Sequence, residues 1–294
     1  MGQKRFICFW SRPDIILLSY IYTMRSTDRL APRGNKIYFL SDFHLGAPTA
    51  LESLQREQRI CQFLDQAALD AAEIFLMGDL FDFWYEYKRV VPKGYVRLLG
   101  KLATLQDAGI KLHLFVGNHD MWVKDYFQQE LGLQVYYDPV TIVRNGQRLH
   151  IGHGDGLGPG DTGYKWLKRI FRNPICQRLF GWLPPVIGIS LASFFSRQSR
   201  AKTGAAEEVF QGPEREWLIS YCKERMALDP VDYFLFGHRH LPIDWELSSD
   251  PSIVRYINLG DWIRYYSYAV LDGASLSLKF FTDQQHKLIT NRKP

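Results

Sequence analysis

Cysteine is scarce in this chain. Its four cysteines (Cys8, Cys61, Cys176 and Cys222) are scattered through 294 residues with no close pair. That excludes a disulfide framework and a thiolate zinc cluster, and makes a reducing cytosol the default compartment. Long apolar runs are also lacking. The segment IILLSYIY (15–22) is shorter than the roughly 20 residues that span a bilayer, follows Arg12, Pro13 and Asp14, and has no small-residue cleavage site after it. Phe6 stands where a myristoylation signal beginning at Gly2 requires Ser or Thr. Internal repeats are absent. Outside one central stretch there is no basic stripe interleaved with stacking aromatics, which argues against nucleic acid as a partner. Residues 1–35 are therefore read as a spurious or disordered N-terminal extension, with Met24 a candidate start and an amphipathic membrane anchor as the sharper alternative.

What is present is ample apolar material: 46% hydrophobic and 15% aromatic residues. That is enough for a single large core, so one domain is expected over residues 36–283, interrupted by an insertion at 160–205. The net charge of +5 suits a phosphate-bearing substrate or an anionic membrane surface without choosing between them. No obligate protein partner is evident.

Apolar patterning gives the order of elements. KIYFL (36–40), EIFLM (73–77) and KLHLFV (111–116) read as buried strands. Helical spacing fills 51–70, 93–108 (ending at Gly109) and 121–131, and strand–helix alternation predicts a parallel sheet. The segment 141–152 then reads as a hairpin turning at Asn145-Gly146. Strands follow at 231–237, 253–260, 265–273 and 276–281, and are expected to be antiparallel. Two sheets packed face to face with helices outside accommodate both halves. Between them, 179–196 is nearly uncharged and broken by Pro184-Pro185.

The residues that end these strands share one chemistry. They are Ser41-Asp42-Phe43-His44, Gly78-Asp79-Leu80-Phe81-Asp82, Gly117-Asn118-His119-Asp120, Gly152-His153-Gly154-Asp155 and Gly237-His238-Arg239-His240. Carboxyl ends of strands in an open α/β sheet face one crevice. Asp42 and His44, two apart in an extended segment, are expected to point to one side, as are His238 and His240. Asp79 has two oxygens with which to bridge two cations, Asn118 a neutral carbonyl, and His153 completes seven ligands. Nitrogen and oxygen donors without thiolate suit Mn²⁺, Fe²⁺ or Zn²⁺. The glycines allow close backbone approach. Asp82 and Asp155 suit roles behind the ligands.

Read in order, D-x-H, G-D-x-x-D, G-N-H-D, G-H-G-D and G-H-x-H resemble the motifs of the calcineurin-like metallophosphoesterase superfamily, from Asp42 to His240 and all intact. The resemblance implies an α/β fold, a four-layer αββα sandwich of two mixed sheets, with hydrolysis of phosphate esters by two divalent metals, Mn²⁺ first among them. It places Asp42, His44, Asp79 and His240 at one metal and Asp79, Asn118, His153 and His238 at the other. Two cations about 3.5–4 Å apart bind a phosphoryl oxygen and activate a water between them. His119 then faces the substrate as the catalytic group, and Asp120 is expected to hold its imidazole in one tautomer.

The stretch HGDGLGPGDTGYKWLKRIFRNPICQRLFGWLPP resembles that of UDP-2,3-diacylglucosamine diphosphatases, the lipid A pathway enzymes. That resemblance implies cleavage of a nucleotide-linked diacyl glucosamine lipid to UMP and a diacylglucosamine 1-phosphate. It also implies substrate contacts from Asp161 and Tyr164, with Arg200 and Lys202 the counterparts of basic residues near the diphosphate. A helical lid over the acyl chains, its basic rims on anionic headgroups, predicts a cytoplasmic protein peripheral to the inner face of the inner membrane. One position departs: the better-known branch of that family has Arg where this chain has His119, the form found in general phosphoesterases. A metal-dependent phosphodiesterase acting on another nucleotide-linked or lipid phosphate ester is therefore the alternative. A scaffold that kept the fold without catalysis is disfavoured by seven intact ligands.

Overall fold

The computed structural model describes residues 34–160, 162–207, 209–248, 253–283 and 287–292, and only the backbone at 193, 197 and 199–207. The first half of the chain alternates as its patterning predicts. Strand β1 (Lys36–Leu40) leads to helix α1 (Ala50–Ala67), β2 (Ala71–Leu76), α2 (Val96–Asp107), β3 (Lys111–Phe115), the short α3 (Tyr126–Gln129) and β4 (Gln134–Tyr136). Helix α1 starts on a Thr49 N-cap: its hydroxyl accepts from the Glu52 N–H at 3.2 Å and donates to the Glu52 carboxylate at 2.6 Å. Only four residues of the helix expected at 121–131 are helical.

The hairpin follows as β5 (Val140–Arg144) and β6 (Gln147–Ile151), antiparallel, with φ of 51° at Asn145 and 78° at Gly146 as a two-residue turn requires. Three helices then occupy the insertion: α4 (Thr162–Arg172), α5 (Pro174–Phe180) and α6 (Pro185–Glu207). The α5–α6 pair bends by 118° at the break that holds Pro184. No single helix among the described residues is long and apolar enough to cross a membrane. After α7 (Trp217–Met226) come β7 (Tyr233–Phe236), β8 (Pro242–Ser248), β9 (Val254–Leu259), β10 (Ser267–Asp272), β11 (Ser275–Phe280) and β12 (Ile289–Thr290).

These strands form two six-stranded sheets, ordered β11-β10-β1-β2-β3-β4 and β12-β8-β9-β7-β6-β5. Both are mixed. The second half is antiparallel only in part: β10 pairs antiparallel with β11 and β1, as expected, whereas in the second sheet β6, β7 and β9 run parallel and antiparallel pairing is confined to β5–β6 and β8–β9. The reason is that α4 to α7 supply a crossover between β6 and β7, which turns them the same way.

Three layers of apolar contact hold the sandwich. Ile74, Leu76, Leu112 and Leu114 on the outer face of the first sheet pack under Ile60, Leu64, Leu98 and Leu102 of α1 and α2. Phe39, Phe75, Phe115, Leu149, Leu235 and Ile257 interdigitate between the sheets. Phe234, Phe236 and Tyr256 pack against Leu218, Ile219 and Cys222 of α7. Each of these large buried side chains contributes roughly 1.5–3 kcal/mol. The helices therefore cover both outer faces, in the four-layer order the resemblance implies.

One charged cluster crosses the inter-sheet layer. Glu73 on β2 receives Arg144 of β5 at 3.0 Å and His113 of β3 at 2.9 Å. Burial alone would raise the Glu73 carboxyl, but these partners bring it down to about 2. A carboxyl depressed on folding stabilises the protein above its unfolded pKa, near 4.5, and loses that stabilisation as pH falls toward 2. Glu73→Gln is therefore expected to lower stability at pH 7 by about 2–3 kcal/mol, somewhat below the ~3–5 for a fully buried pair because Arg144 keeps contact with water. The difference from wild type, followed by urea unfolding, should shrink between pH 4.5 and 2; a pH-independent difference would contradict the ion pair.

Candidate metal centre

The loop after β1 and its counterparts after β2, β3, β6 and β7 meet at one end of the sandwich. Asp42, His44, Asp79 and His153 are almost completely buried there, an unusual place for so much polarity. The local backbone explains how they fit. Five of the seven candidate ligands are left-handed: Asp42 (φ 58°), His44 (43°), Asp79 (54°), His238 (67°) and His240 (52°). The extended geometry expected for D-x-H and H-x-H is therefore corrected. Each pair is brought to one side by left-handed turns, with Phe43 buried between the first two. Asp and His tolerate this region better than most residues, at a cost of order 1–3 kcal/mol each.

The turns are pinned by backbone bonds that extend the sheets past their ends. Asp42 N–H donates to the Gly78 carbonyl at 3.1 Å, and His44 N–H to the Asp79 carbonyl at 2.9 Å. Arg56 of α1, buried, donates to the carbonyls of Phe43, His44 and Ala47. Two glycines are obligatory. A Cβ on Gly117 would lie 2.2 Å from Asp79 Oδ1, and one on Gly237 2.0 Å from Ser41 Oγ and 2.5 Å from Asp42 Oδ2.

The ligand atoms converge on Asp79. Its Oδ2 lies 3.6 Å from His44 Nε2 on one side and 3.3 Å from His153 Nε2 on the other. Around the first stand His240 Nε2, 3.1 Å from His44 Nε2, and Asp42 Oδ1, 3.3 Å from His240 Nε2. Around the second stand Asn118 Oδ1, 3.0 Å from His153 Nε2, and His238, its ring 5.2 Å from that of His153. Asp42, His44 and His240 can thus surround one ion, and Asp79, His153 and His238 another.

The donor set fits divalent cations. Two Nε2 lone pairs 3.1 Å apart, on His44 and His240, repel unless a proton or a cation lies between them. The tautomers suit ligation as well. His153 Nδ1 sits 2.9 Å from the Met77 carbonyl, an acceptor only, which leaves Nε2 as the lone-pair donor. His240 Nδ1 faces Asp261 Oδ2 at 3.4 Å with the same effect.

Electrostatics agree. Burial would raise the Asp79 carboxyl, but the neighbouring imidazoles outweigh it and hold it well below the usual range. Burial likewise opposes charge on His153, yet Asp79, Asp42 and Asp155 drive it up to about 10. The carboxylates thus demand positive charge at this spot. Burial pushes His44 and His238 down to about 4, so both imidazoles are neutral and free to ligate at pH 7.

His119 lies beside His44, the ring centroids 4.7 Å apart. Its backbone N–H donates to Asp79 Oδ1 at 2.8 Å, and its ring Nδ1 is 3.1 Å from the Asp82 carbonyl and 3.2 Å from Ser196 Oγ of α6. Asp120 does not orient this ring, contrary to expectation. Its carboxylate accepts from the backbone of Gly117 at 2.7 Å and Leu80 at 2.8 Å, so it braces two ligand loops from behind. Burial, with Asp79 nearby, raises its carboxyl to about 7. Asp82 takes the place expected of Asp120: its Oδ1 is 3.8 Å from His119 Nδ1 and accepts from Ser196 Oγ at 3.0 Å.

Tyr164 lies near the centre, its ring 6.4 Å from that of His238, and donates to Asp155 Oδ2 at 2.6 Å. Lys168 pairs with the same oxygen at 2.6 Å. Burial and this carboxylate raise the Tyr164 phenol, which stays a donor. Asp161 and the side chains of Arg200 and Lys202 lie outside the described residues.

Asp261 was missed in the sequence. Besides facing His240, it accepts from the backbone of Ile263, Arg264 and Tyr265. The signal was there: Gly260-Asp261 follows β9 as Gly78-Asp79 follows β2. Ser196 carried no such signal, because its role depends on how α6 lies over the loop at Asp82.

Comparison with known proteins places the whole arrangement. The calcineurin-like phosphoesterase family matches residues 35–242. A Porphyromonas gingivalis protein named UDP-2,3-diacylglucosamine hydrolase is 40% identical over 85% of this chain and 99% of its own length. Proteins of the same name from Ectopseudomonas mendocina and Pseudomonas paraeruginosa are each 30% identical, over 81% and 78% of this chain and 94% and 91% of theirs. With its motifs gathered around Asp79 and these matches along most of its length, the chain belongs to the calcineurin-like phosphoesterases and is a metal-dependent hydrolase.

Proposed function

We propose that this protein hydrolyses the pyrophosphate bond of UDP-2,3-diacylglucosamine, releasing UMP and 2,3-diacylglucosamine 1-phosphate for lipid A synthesis. The observation that carries the chemistry is Asp79 Oδ2, within 3.6 Å of the ring nitrogens of two separate ligand groups. The relatives' names support the substrate. We assign Asp42, His44, Asp79 and His240 to one divalent ion and Asp79, Asn118, His153 and His238 to the other, with Mn²⁺ ahead of Fe²⁺ and Zn²⁺. When bound, such a pair supplies charge to the phosphoryl oxygens and an activated water.

The chain's own residues do the rest. His119 keeps its Nδ1 proton on the Asp82 carbonyl, which leaves Nε2 to meet a phosphoryl or leaving oxygen. Ser196 and Asp82 fix the ring's plane. Tyr164, anchored on Asp155, and Asp161 suit the glucosamine–nucleotide portion, and Arg200 and Lys202 the diphosphate charge. Folding of 36–283 as one domain around the 160–205 lid belongs to the same reading.

The lid has the surface such a substrate needs. Phe180 packs against Trp122 at 4.5 Å and Tyr85 at 4.9 Å, and Trp122 donates to the Phe171 carbonyl, so the base of the lid is docked. Beyond that base Trp182 is 77% exposed, Val186 79% and Phe195 60%. Large apolar side chains left this exposed along one segment suit a lipid or partner site. Each acyl methylene covered contributes roughly 0.8 kcal/mol. We read it as the acyl-chain cover of a protein peripheral to the inner face of the inner membrane, its cationic rims on anionic headgroups.

Asp79→Asn is expected to reduce UMP release from UDP-2,3-diacylglucosamine at least about a thousandfold, in the range of losses seen when a principal charge-stabilising group is removed. Metal content by elemental analysis should fall with it; full activity in that variant would remove the bridging role. Wild type with Mn²⁺ should release UMP, whereas turnover of bis-p-nitrophenyl phosphate alone would favour a general phosphodiesterase.

Trp182→Ser with Phe195→Ser should weaken turnover of the lipid substrate about tenfold or more while sparing bis-p-nitrophenyl phosphate, consistent with the loss of buried aromatic surface. Equal losses on both substrates would argue against an acyl cover.

A further inference from the structure

A cavity of about 340 Å³ opens beside His238, away from the point where α6 touches the centre. Its walls include Leu157 from the loop after β6, Gln211, Arg215 and Trp217 from the approach to α7, and Arg239 from the segment after β7. The volume lies within the roughly 300–1,000 Å³ of small-molecule sites.

The walls are rigid on one side and unengaged on the other. Arg239 is 4% exposed and grips Glu216, 2% exposed, through Nε at 3.1 and 3.0 Å to its two oxygens. The same guanidinium lies 4.5 Å over the Trp217 ring and fixes the indole as a flat wall. Gly158, at φ 73°, lets the facing loop press against the Trp217 carbonyl, where a Cβ would stand at 2.4 Å. Gln211 and Arg215 are exposed, and among the described residues neither side chain has a hydrogen bond or ion pair. One aromatic wall with a free amide and a free guanidinium matches a ligand that has a flat heteroaromatic face and a polar edge. Acyl chains match it poorly, because they would strip water from Gln211 and Arg215 and give nothing back.

Position agrees with composition. The lid's α6 reaches the centre at Asp82 and His119, beside His44, whereas this cavity adjoins His238 of the other ligand group. A diphosphate lying across both groups directs its two substituents apart, one under the apolar lid and one toward this cavity. We infer that the cavity beside His238, walled by Trp217, Gln211, Arg215 and Arg239, seats the nucleoside half of the substrate. The identity of that nucleoside as uridine rests on the substrate proposed above.

The test uses the full-length protein loaded with Mn²⁺ and the paired variant Gln211→Ala with Arg215→Ala, both exposed positions at which folding is not at stake. Titration with UMP should show about tenfold weaker binding in the variant, as expected when two polar contacts are lost. Titration with inorganic phosphate should change less than about twofold, since neither contact is made. Lipid cleavage is followed in parallel. If wild type releases UMP from UDP-2,3-diacylglucosamine and UMP affinity is unchanged in the variant, the nucleoside site is overturned while the proposed substrate stands. If wild type leaves that lipid intact, yet UMP binds and the variant weakens it selectively, the substrate is overturned while the nucleoside site stands. Equal weakening of UMP and phosphate would also overturn the site, because the effect would then lie at the metals.

Discussion

Burial of the Asp79 carboxylate between two groups of imidazoles is the interaction on which this structure turns. A buried, uncompensated anion costs several kcal/mol, and here two carboxylates, Asp42 and Asp79, lie buried at one end of a β-sandwich. The protein meets that cost with neighbours. Asp79 accepts the His119 N–H, Asp42 accepts the His238 N–H, and the rings of His44, His153 and His240 surround both. The remaining demand for positive charge is what a divalent pair satisfies. Loop geometry follows: Gly117 and Gly237 lack side chains because the two carboxylates occupy that space.

Much of this was legible in the sequence, for identifiable reasons. Strands β1, β2 and β3 announce themselves as apolar runs, and ligands placed directly after strands must share a crevice in an α/β sheet. What could not be read was backbone handedness. A D-x-H segment following a strand looks extended, and only the structure shows φ of 58° at Asp42 and 43° at His44. Adjacency also misled: Asp120 is next to His119 in sequence, yet it points back to Gly117 and Leu80, while Asp82, thirty-seven positions earlier, faces the ring. Strand direction in the second sheet was hidden because α4 to α7 had no clear reading as a crossover. Strand β8 was missed because PIDWELS mixes proline and acids into a short segment.

The two sides of the centre differ in kind. Around His119 the lid offers rings and aliphatic surface, docked at its base by Phe171 and Phe180 and open beyond it. Around His238 the walls are a clamped indole and unspent polar groups. A site built this way suits a molecule with two dissimilar ends joined across the point where the ligand groups meet. Selectivity then comes from the ends and reactivity from the middle.

The left-handed turns at Asp42, His44, Asp79, His238 and His240 limit how this centre can change. At such positions β-branched residues are sterically barred, and few side chains other than Asn, Asp, His or Gly sit comfortably. Any drift toward another metal must therefore draw on that short alphabet. Redesign through Thr or Val would fail in the main chain before coordination chemistry had any say.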